Sequence, residues 1–326
     1  MLKEIDFAVG GQAVIEGVMM RSPNSISIAV RKNNGKIKVN KKRYRTLTQR
    51  YAIFNIPIIR GFVNLLEMMV VGMKAINFSA NEQYEDVKEK EGIKDSGKVM
   101  KIFEAIMFLI SIVLAIGLGI LLFKFTPLLA TTFIESRSSF ISGNYFFFNL
   151  LDGAIKMSIF LLYIYLMGLL PDLKRVFQYH GAEHKAIYAY EKKIPLNTEN
   201  AAKQTRFHPR CGTSFILIVF GISIIVYSIV PRPPEFFANF ALRLSLLPLI
   251  SGISYECLKM SAKNLNNFFV RGLVAPGLLF QKLTTKEPDE EQIDVGLRSL
   301  KEALAMEKVT SPPQERIGNP RELRVP

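Results

Sequence analysis

Three histidines and a cysteine in one short stretch are the residues best suited to chemistry. The chain of 326 residues contains three histidines, and His180, His184 and His208 all lie within 29 residues. Cys211 follows His208 by three positions. Imidazole nitrogens and thiolate sulfurs are preferred ligands of zinc. The sequence therefore predicts a site for one divalent metal, with zinc as the expected ion.

The first two histidines belong to the sequence His-Gly-Ala-Glu-His. Positions i and i+4 share one face of a helix, so both imidazoles can reach one ion. The surrounding residues 173–193 favour a helix, although Gly181 weakens it. The same pattern, H-x-x-E-H, occurs in inverted zincins, where the glutamate polarises a zinc-bound water. Glu183 is accordingly the predicted general base of a hydrolysis.

A tetrahedral zinc site needs one or two further ligands. His208 and Cys211 are the nearest candidates, and Glu256, 72 residues after His184, is the other. A site completed by Cys and His would be structural, whereas an open coordination position would favour catalysis. Both roles stay open from the sequence. Without a metal, the three histidines would form a polar cluster at a membrane interface.

The distribution of apolar residues indicates a membrane protein. Hydrophobic residues make up 49% of the chain and charged residues 21%, values that soluble domains also reach. However, four apolar runs approach the roughly 20 residues needed to cross a bilayer, and charges crowd between them. A purely soluble protein and a disordered chain are excluded. The predicted spans are 102–123, 153–170, 214–230 and 236–257, with Pro248 as a kink in the last.

Basic residues give the orientation of these spans. Residues 1–50 carry 11 Lys and Arg, 172–213 carry 8, and 259–326 carry 11. The 125–152 and 231–235 loops carry one each. The positive-inside rule therefore predicts that both termini and the 172–213 loop are cytoplasmic. The histidines, Cys211 and Glu256 then all lie at one membrane interface.

The other segments complete a mainly α-helical fold around a four-helix membrane region at 102–260. Residues 1–50 form a cytoplasmic β-rich segment, in which Asn33-Asn34-Gly35 joins two alternating strands. Residues 51–78 form an interfacial or re-entrant helix, with a fifth span as the alternative, because its charged residues fall on one stripe. The remaining segments are a cytoplasmic linker (79–101), an interfacial segment and amphipathic helix (261–308) and a disordered tail (309–326).

Within the amphipathic helix, Thr285 is the predicted N-cap. Its apolar face comprises Ile293, Leu297, Leu300 and Leu304. Near the other end of the chain, the glycine-rich segment GGQAVIEGVMMRSP does not match a phosphate-binding loop. Because this segment shares the cytoplasmic compartment with the histidines, Glu16 and Arg21 are candidate substrate contacts.

The charge distribution suggests lipid as a partner. The net charge is +14, which in a membrane protein reflects basic cytoplasmic loops. The run Lys41-Lys42-Arg43-Tyr44-Arg45 could bind RNA, but anionic headgroups are the simpler partner for a basic cluster beside a membrane. There is no strong signal for nucleic acid. Two distant cysteines provide no disulfide framework, which fits a reducing compartment.

Several long blocks of the chain resemble the YqhQ family of bacterial membrane proteins. These blocks are GGQAVIEGVMMRSP, YHGAEHKAIYAYE, HPRCGTSF, SYECLK and QKLTTKEPDEEQIDV, within residues 7–305. Members are described as uncharacterised or as predicted metal-dependent enzymes. The resemblance implies a bacterial cytoplasmic (inner) membrane. The family's motif positions present here are Gly11, Gln12, Glu16, Gly17, Met20, Arg21, His180, Glu183, His184, His208, Pro209, Cys211, Gly212, Glu256, Thr285 and Pro288.

Two functions follow from these observations. The first is a metal-dependent hydrolase at the cytoplasmic membrane face. The second is a non-enzymatic scaffold or assembly factor with a structural metal, bound to another membrane protein or to a second copy of the chain. Transport is disfavoured because few ionisable residues lie mid-span. Arg243, near the outer end of the fourth span, is expected to extend to the headgroups.

Overall fold

A computed structural model describes residues 9–91, 98–209, 211–263 and 268–310. It is mainly helical with one small antiparallel sheet, which agrees with the predicted fold class at this level. Residues 311–326 of the predicted disordered tail, and residues 92–97 of the predicted linker, lie outside the described residues.

The sheet has four strands in the order β1-β2-β3-β4. The predicted hairpin between β3 and β4 is confirmed, and Gly35 supplies the positive φ (80°) that its turn requires. The hairpin of β1 and β2 was not predicted. Its strands have only five residues each, too few to show a clear alternation. The strand bounds are β1 (Gly10–Val14), β2 (Gly17–Arg21), β3 (Ser25–Arg31) and β4 (Ile37–Arg43).

The described residues also form thirteen α-helices. Their bounds are α1 (Leu47–Arg50), α2 (Ile59–Glu91), α3 (Lys98–Ile120), α4 (Thr126–Glu135), α5 (Ser139–Ser142), α6 (Tyr145–Met167), α7 (Pro171–Glu191), α8 (Thr198–Ala202), α9 (Thr213–Ile229), α10 (Phe236–Ser245), α11 (Leu247–Lys263), α12 (Phe268–Thr284) and α13 (Glu290–Thr310).

The sheet is covered by helices on both faces. Side chains alternate across a strand, so β3 presents Ala29 to one core and Ile28 to the other. The first core lies between the sheet, α7 and α13, and it contains the four predicted apolar residues of α13, all buried. The second core lies between the sheet and α2. Elements from both ends of the chain thus form one layered unit.

Helix α2 joins this unit to the apolar helices. It packs against α11 as well as the sheet. The charged stripe predicted for it is used in contacts: Arg60 pairs with Glu256, and Glu67 accepts a hydrogen bond from Tyr44 Oη at 2.6 Å. Residues 79–91, expected to be linker, continue the helix.

Two helices are long and apolar enough to cross a membrane, Ile106–Glu135 and Tyr145–Met167. The first continues beyond the predicted end at residue 123, through a π-helical turn at Leu121–Phe125. A third candidate is the pair α10 and α11, which is bent by 42° close to Pro248, where a kink was predicted. Helix α9 is apolar but has only 17 residues. These helices indicate a membrane protein with two or three candidate spans.

The predicted N-cap of the last helix is wrong. Thr285 follows α12 and bonds back to Gln281 through its N–H (2.9 Å) and its hydroxyl (2.7 Å). Helix α13 begins five residues later than Thr285, after Asp289. The Asp289 carboxylate accepts the Gln292 N–H at 2.8 Å, and the Gln292 side chain accepts the Asp289 N–H at 3.0 Å. This reciprocal capping satisfies two helix-terminal donors, which a cap at Thr285 could not reach.

Replacing Leu300 by alanine tests the core between the sheet, α7 and α13. Leu300 is fully buried, so we expect Leu300→Ala to lower the free energy of unfolding by about 2–5 kcal/mol. Lys301→Ala is the matched control, since Lys301 is exposed on the same helix and should change stability by less than about 0.5 kcal/mol. Denaturant titration of the two variants in detergent measures both values. Equal effects would contradict the assignment of this core.

Candidate metal centre

Helix α7 positions the two histidines of the predicted motif, and its predicted helical conformation is confirmed. It is buried because its backbone approaches a neighbouring segment closely. A Cβ atom on Gly181 would lie 2.2 Å from the Lys286 carbonyl oxygen, so only glycine fits without movement. The glycine that weakens the helix in the sequence therefore allows the chain after α12 to pass over His180.

Backbone carbonyls hold both imidazoles in the same tautomer. His180 Nδ1 donates to the Thr284 carbonyl oxygen at 2.9 Å, and His184 Nδ1 donates to the Arg206 carbonyl oxygen. Because each Nδ1 carries the proton, each Nε2 presents a lone pair. A carbonyl partner on the second ring nitrogen is the usual support of a metal-binding histidine.

Cys211 completes a cluster with these two histidines. Its Sγ lies 3.3 Å from His180 Nε2 and 3.2 Å from Thr213 Oγ1. One ligand atom from each of His180, His184 and Cys211 can be chosen so that all lie within 4.8 Å of one another. His184 Nε2 is buried and has no hydrogen-bond partner among the described residues. A buried, unpaired nitrogen is unfavourable without a ligand.

The chemistry of these three residues fits a metal such as zinc. Burial lowers the pKa of His184 below its usual value, although the Cys211 thiol beside it acts in the opposite direction. The imidazole is therefore neutral near pH 7, the form that binds a metal. His180, His184 and Cys211 would hold the ion with two nitrogens and one sulfur, and three protein ligands are the number found in zinc sites that keep a position open for chemistry. A bound metal would displace the Cys211 thiol proton.

The structure does not bring His208 into this group of three. His208 Nε2 lies 3.1 Å from Glu191 Oε2, and the His208 ring packs against Tyr188 and His184. Its backbone is held by the Gln281 side chain, which accepts the His208 N–H at 2.7 Å and donates to its carbonyl at 2.8 Å. The His208 ring therefore packs against the His184 ring, and His208 Nε2 faces Glu191.

Two other predicted residues also lie elsewhere. Glu256 pairs with Arg60 on α2, with Arg60 Nε donating to Glu256 Oε1 at 2.6 Å. Arg21 donates to Met68 Sδ at 2.7 Å and lies over the Tyr44 ring. Glu256 was expected at the metal because it shares a membrane interface with the histidines, but shared depth does not determine lateral position.

Glu183 is fully buried beside the cluster but points toward the sheet. Its carboxylate accepts the Gly11 N–H, and a Cβ on Gly11 would lie 2.9 Å from the Glu183 side chain. Burial raises the pKa of Glu183 to about 7, although His180 and the Gly11 N–H oppose this shift. A carboxyl group with that pKa can take up or release a proton at neutral pH.

Glu16 anchors the helix that carries the histidines. It adopts a positive φ of 50° in the turn between β1 and β2, and its carboxylate pairs with Arg175. It also accepts a hydrogen bond from Tyr179 Oη at 3.2 Å, one residue before His180. Arg175, Tyr179 and Gln281 were not predicted, since their partners are distant in sequence and no local pattern marks them.

The fold is mainly helical and combines a layered sheet unit with apolar helices. A cluster of two histidines and one cysteine lies between these two parts. The family described as Protein of unknown function (DUF1385) matches residues 56–306. The chain is also 35% identical over 314 residues to "Uncharacterized protein YqhQ" of Bacillus subtilis (strain 168), a match that covers 94% of this chain and 96% of the relative. The chain therefore belongs to this family, as its motifs indicated. No solved structure matches it significantly.

Metal analysis of purified protein tests the cluster. We expect about one equivalent of zinc in the wild type and none in His180→Ala/His184→Ala, because that variant lacks both imidazoles. Cys211→Ser should lose most of the zinc. Glu256→Gln is the control and should keep the wild-type amount, since Arg60 already occupies that carboxylate. Multi-element mass spectrometry after purification without chelators or affinity metals gives the counts, and zinc loss in Glu256→Gln would contradict this geometry.

Gly181→Ala tests the close approach over His180. Alanine gains about 1 kcal/mol of helix propensity but collides with the Lys286 carbonyl, so we expect a net loss of roughly 1–3 kcal/mol. Gly221→Ala in α9, where a Cβ meets nothing within 4 Å, should be neutral or stabilising. Thermal unfolding in detergent compares the two variants. A stabilised Gly181→Ala protein would show that the segment after α12 moves freely.

Proposed function

We propose that this protein is a multi-pass protein of the bacterial cytoplasmic membrane that binds one divalent metal, with zinc as the expected ion. His180, His184 and Cys211 would hold the metal. The observation that carries the proposal is the convergence of the His180, His184 and Cys211 ligand atoms within 4.8 Å of one another, with the buried His184 Nε2 lacking a hydrogen bond of normal geometry among the described residues. A buried nitrogen is favourable only when a donor or a metal ion binds its lone pair.

We further propose four spans with cytoplasmic termini, one or two more spans than length and composition alone give. The packing of the first strands against α7 and α13 supports this topology, because it would put the two ends of the described chain on one side of a membrane. This unit carries most of the basic loops, which the positive-inside rule assigns to the cytoplasm. Helix α9 would serve as the short third span, and α10 with α11 as the bent fourth.

In the catalytic form of the proposal, the protein is a hydrolase. A bound metal would lower the pKa of its water and polarise a substrate carbonyl or phosphoryl oxygen. Glu183, directly before His184, would accept the proton of that water as general base. The supporting observations are its place directly before His184, its electrostatic contact with His180 and its pKa near 7. Its carboxylate accepts the Gly11 N–H and would have to turn from the sheet toward the cluster to take up the proton.

A structural role for the metal is the second candidate, and one observation favours it. The cluster takes His180 and His184 from the layered unit and Cys211 from the connection that leads into apolar helix α9. A metal bound to all three would hold the two parts together. The protein would then serve as a scaffold or assembly factor for a membrane-protein partner or a second copy of itself.

Anionic lipid headgroups are the proposed membrane partner on the cytoplasmic side. The run Lys41–Arg45 begins on β4, an edge strand whose last four residues are exposed. Lys41 is paired with Glu302 at 2.7 Å, but Lys42 and Arg43 are exposed. Exposed basic groups on a sheet edge also discourage pairing with another chain.

Glu183→Gln distinguishes the two roles. If Glu183 is a general base, this variant should keep the metal and fail to complement. Its hydrolytic rate should fall at least about 100-fold, since general base catalysis contributes roughly 10²–10⁴-fold. If the metal is structural, Glu183→Gln should be nearly silent and His184→Ala should destabilise the protein. Metal content, melting temperature and complementation of a deletion strain are measured together. Loss of metal from Glu183→Gln would instead make Glu183 a ligand, which contradicts the assigned role.

A further inference from the structure

A second set of charged residues lies within the apolar helices, away from the metal centre. The sequence suggested few ionisable groups mid-span, but α6 carries Asp152 and Lys156, both buried. Lys124 lies in the π-helical turn of the first candidate span. Arg243 was expected to extend to the headgroups, but it is buried instead at 6% exposure. π-Helical turns often occur at functional sites.

These residues meet around Tyr227 of α9. Lys156 and Arg243 both pair with Asp152 Oδ2, at 2.9 and 2.8 Å. The Arg243 guanidinium lies 4.5 Å from the Tyr227 ring centroid, and Lys124 Nζ lies 5.8 Å from the same centroid. A single carboxylate oxygen therefore balances two of three neighbouring cations. Arg243 is buried because this network satisfies it, which headgroup contact would do less completely.

Arg232 adds a fourth cation at the end of the same cluster. It lies in the connection between α9 and α10, pairs with Glu135 through Nη2 at 2.9 Å, and stacks 4.2 Å from the Phe148 centroid. Arg243 contacts the same ring at 5.6 Å. Arg232 Nη1 is buried and has no hydrogen-bond partner among the described residues. One strong donor is thus left over after the intramolecular contacts are made.

A small crevice, with room inside for about one water molecule, opens beside these two guanidinium groups. Its lining includes Tyr227, Arg232, Asn239 and Arg243. By formal charge, the cluster has four basic side chains against two carboxylates, an excess of two. Glu235, also in this connection, is exposed and forms no ion pair with either arginine in the described part of the chain. An excess of positive charge beside an apolar region is costly unless an anion compensates it.

We propose that Arg232, at the opening of this crevice, binds an anionic phosphate group, while the buried Arg243 keeps its contacts to Asp152, Asn149 and Asn239. Guanidinium groups match phosphate oxygens in a bidentate fashion, and the free Nη1 of Arg232 would supply one of these bonds. Exposed aromatic residues nearby, Tyr145, Phe146 and Phe237, are typical of headgroup depth. The phosphate could belong to a lipid headgroup or to a free phosphate compound. The site lies on the side opposite the proposed cytoplasmic metal centre.

An internal structural tie is the simpler explanation for Arg232, and a pair of variants separates it from binding. Arg232→Gln removes both the tie to Glu135 and the anion donor. Glu135→Gln removes only the tie and adds to the positive excess. A purely structural role predicts similar losses of melting temperature and no change in binding for either variant. Anion binding predicts weaker binding in Arg232→Gln and equal or tighter binding in Glu135→Gln.

The experiment uses the full chain in detergent micelles and two kinds of probe. Native mass spectrometry measures binding of short-chain phosphatidylglycerol against phosphatidylcholine, and thermal shift measures binding of inorganic phosphate. We expect phosphatidylglycerol to bind at least about tenfold more tightly than phosphatidylcholine if the source is lipid, or phosphate alone to raise the melting temperature if the source is soluble. In either case Arg232→Gln should weaken binding roughly 10- to 100-fold, the loss of one hydrogen bond to a charged group.

Arg137→Gln is the control, because Arg137 is exposed in the connection after α4 and the substitution removes the same charge. It should leave the binding of both probes unchanged. The proposal is overturned if the wild type binds neither probe, or if Arg232→Gln, with a melting temperature that shows it to be folded, binds as tightly as Arg137→Gln.

Discussion

The burial of helix α7 is the constraint on which the rest of the structure depends. One face of α7 packs against the sheet and α13, and another meets the segment after α12. Glycine at positions 11 and 181 permits both approaches, because a Cβ there would overlap neighbouring atoms. The same burial places His180 and His184 next to backbone carbonyls, removes Glu183 from solvent and raises its pKa. The chemistry of the site is therefore a result of packing.

The metal centre lies where two differently built parts of the protein meet. The layered unit depends on apolar cores on both faces of a sheet, which α7 and α13 close on one face and α2 on the other. The apolar helices expose large hydrophobic side chains, as a lipid environment requires. Cys211 lies two residues before apolar helix α9, and His180 lies in the layered unit. A metal bound by both would couple the position of one part to the other.

Buried charge is handled differently at the two ends of the apolar helices. At the metal centre, lone pairs and a thiol converge, and a cation would satisfy them. Around Tyr227, cations outnumber carboxylates, and an anion would satisfy them. In both places the unsatisfied atom is buried, so its cost is high and its ligand class follows from its charge.

The sequence alone determined the elements whose signal is local. The i, i+4 histidine pair predicted helix α7, the Asn-Asn-Gly turn predicted the β3–β4 hairpin, and the apolar period predicted the buried face of α13. Tertiary structure decided what local signals do not contain. Cys211 joined the histidines, while His208, Glu256 and Arg21 found partners at distant positions. Periodicity reports which face of an element is buried, but the partner of a polar side chain depends on how elements pack, and packing brings together residues far apart in sequence.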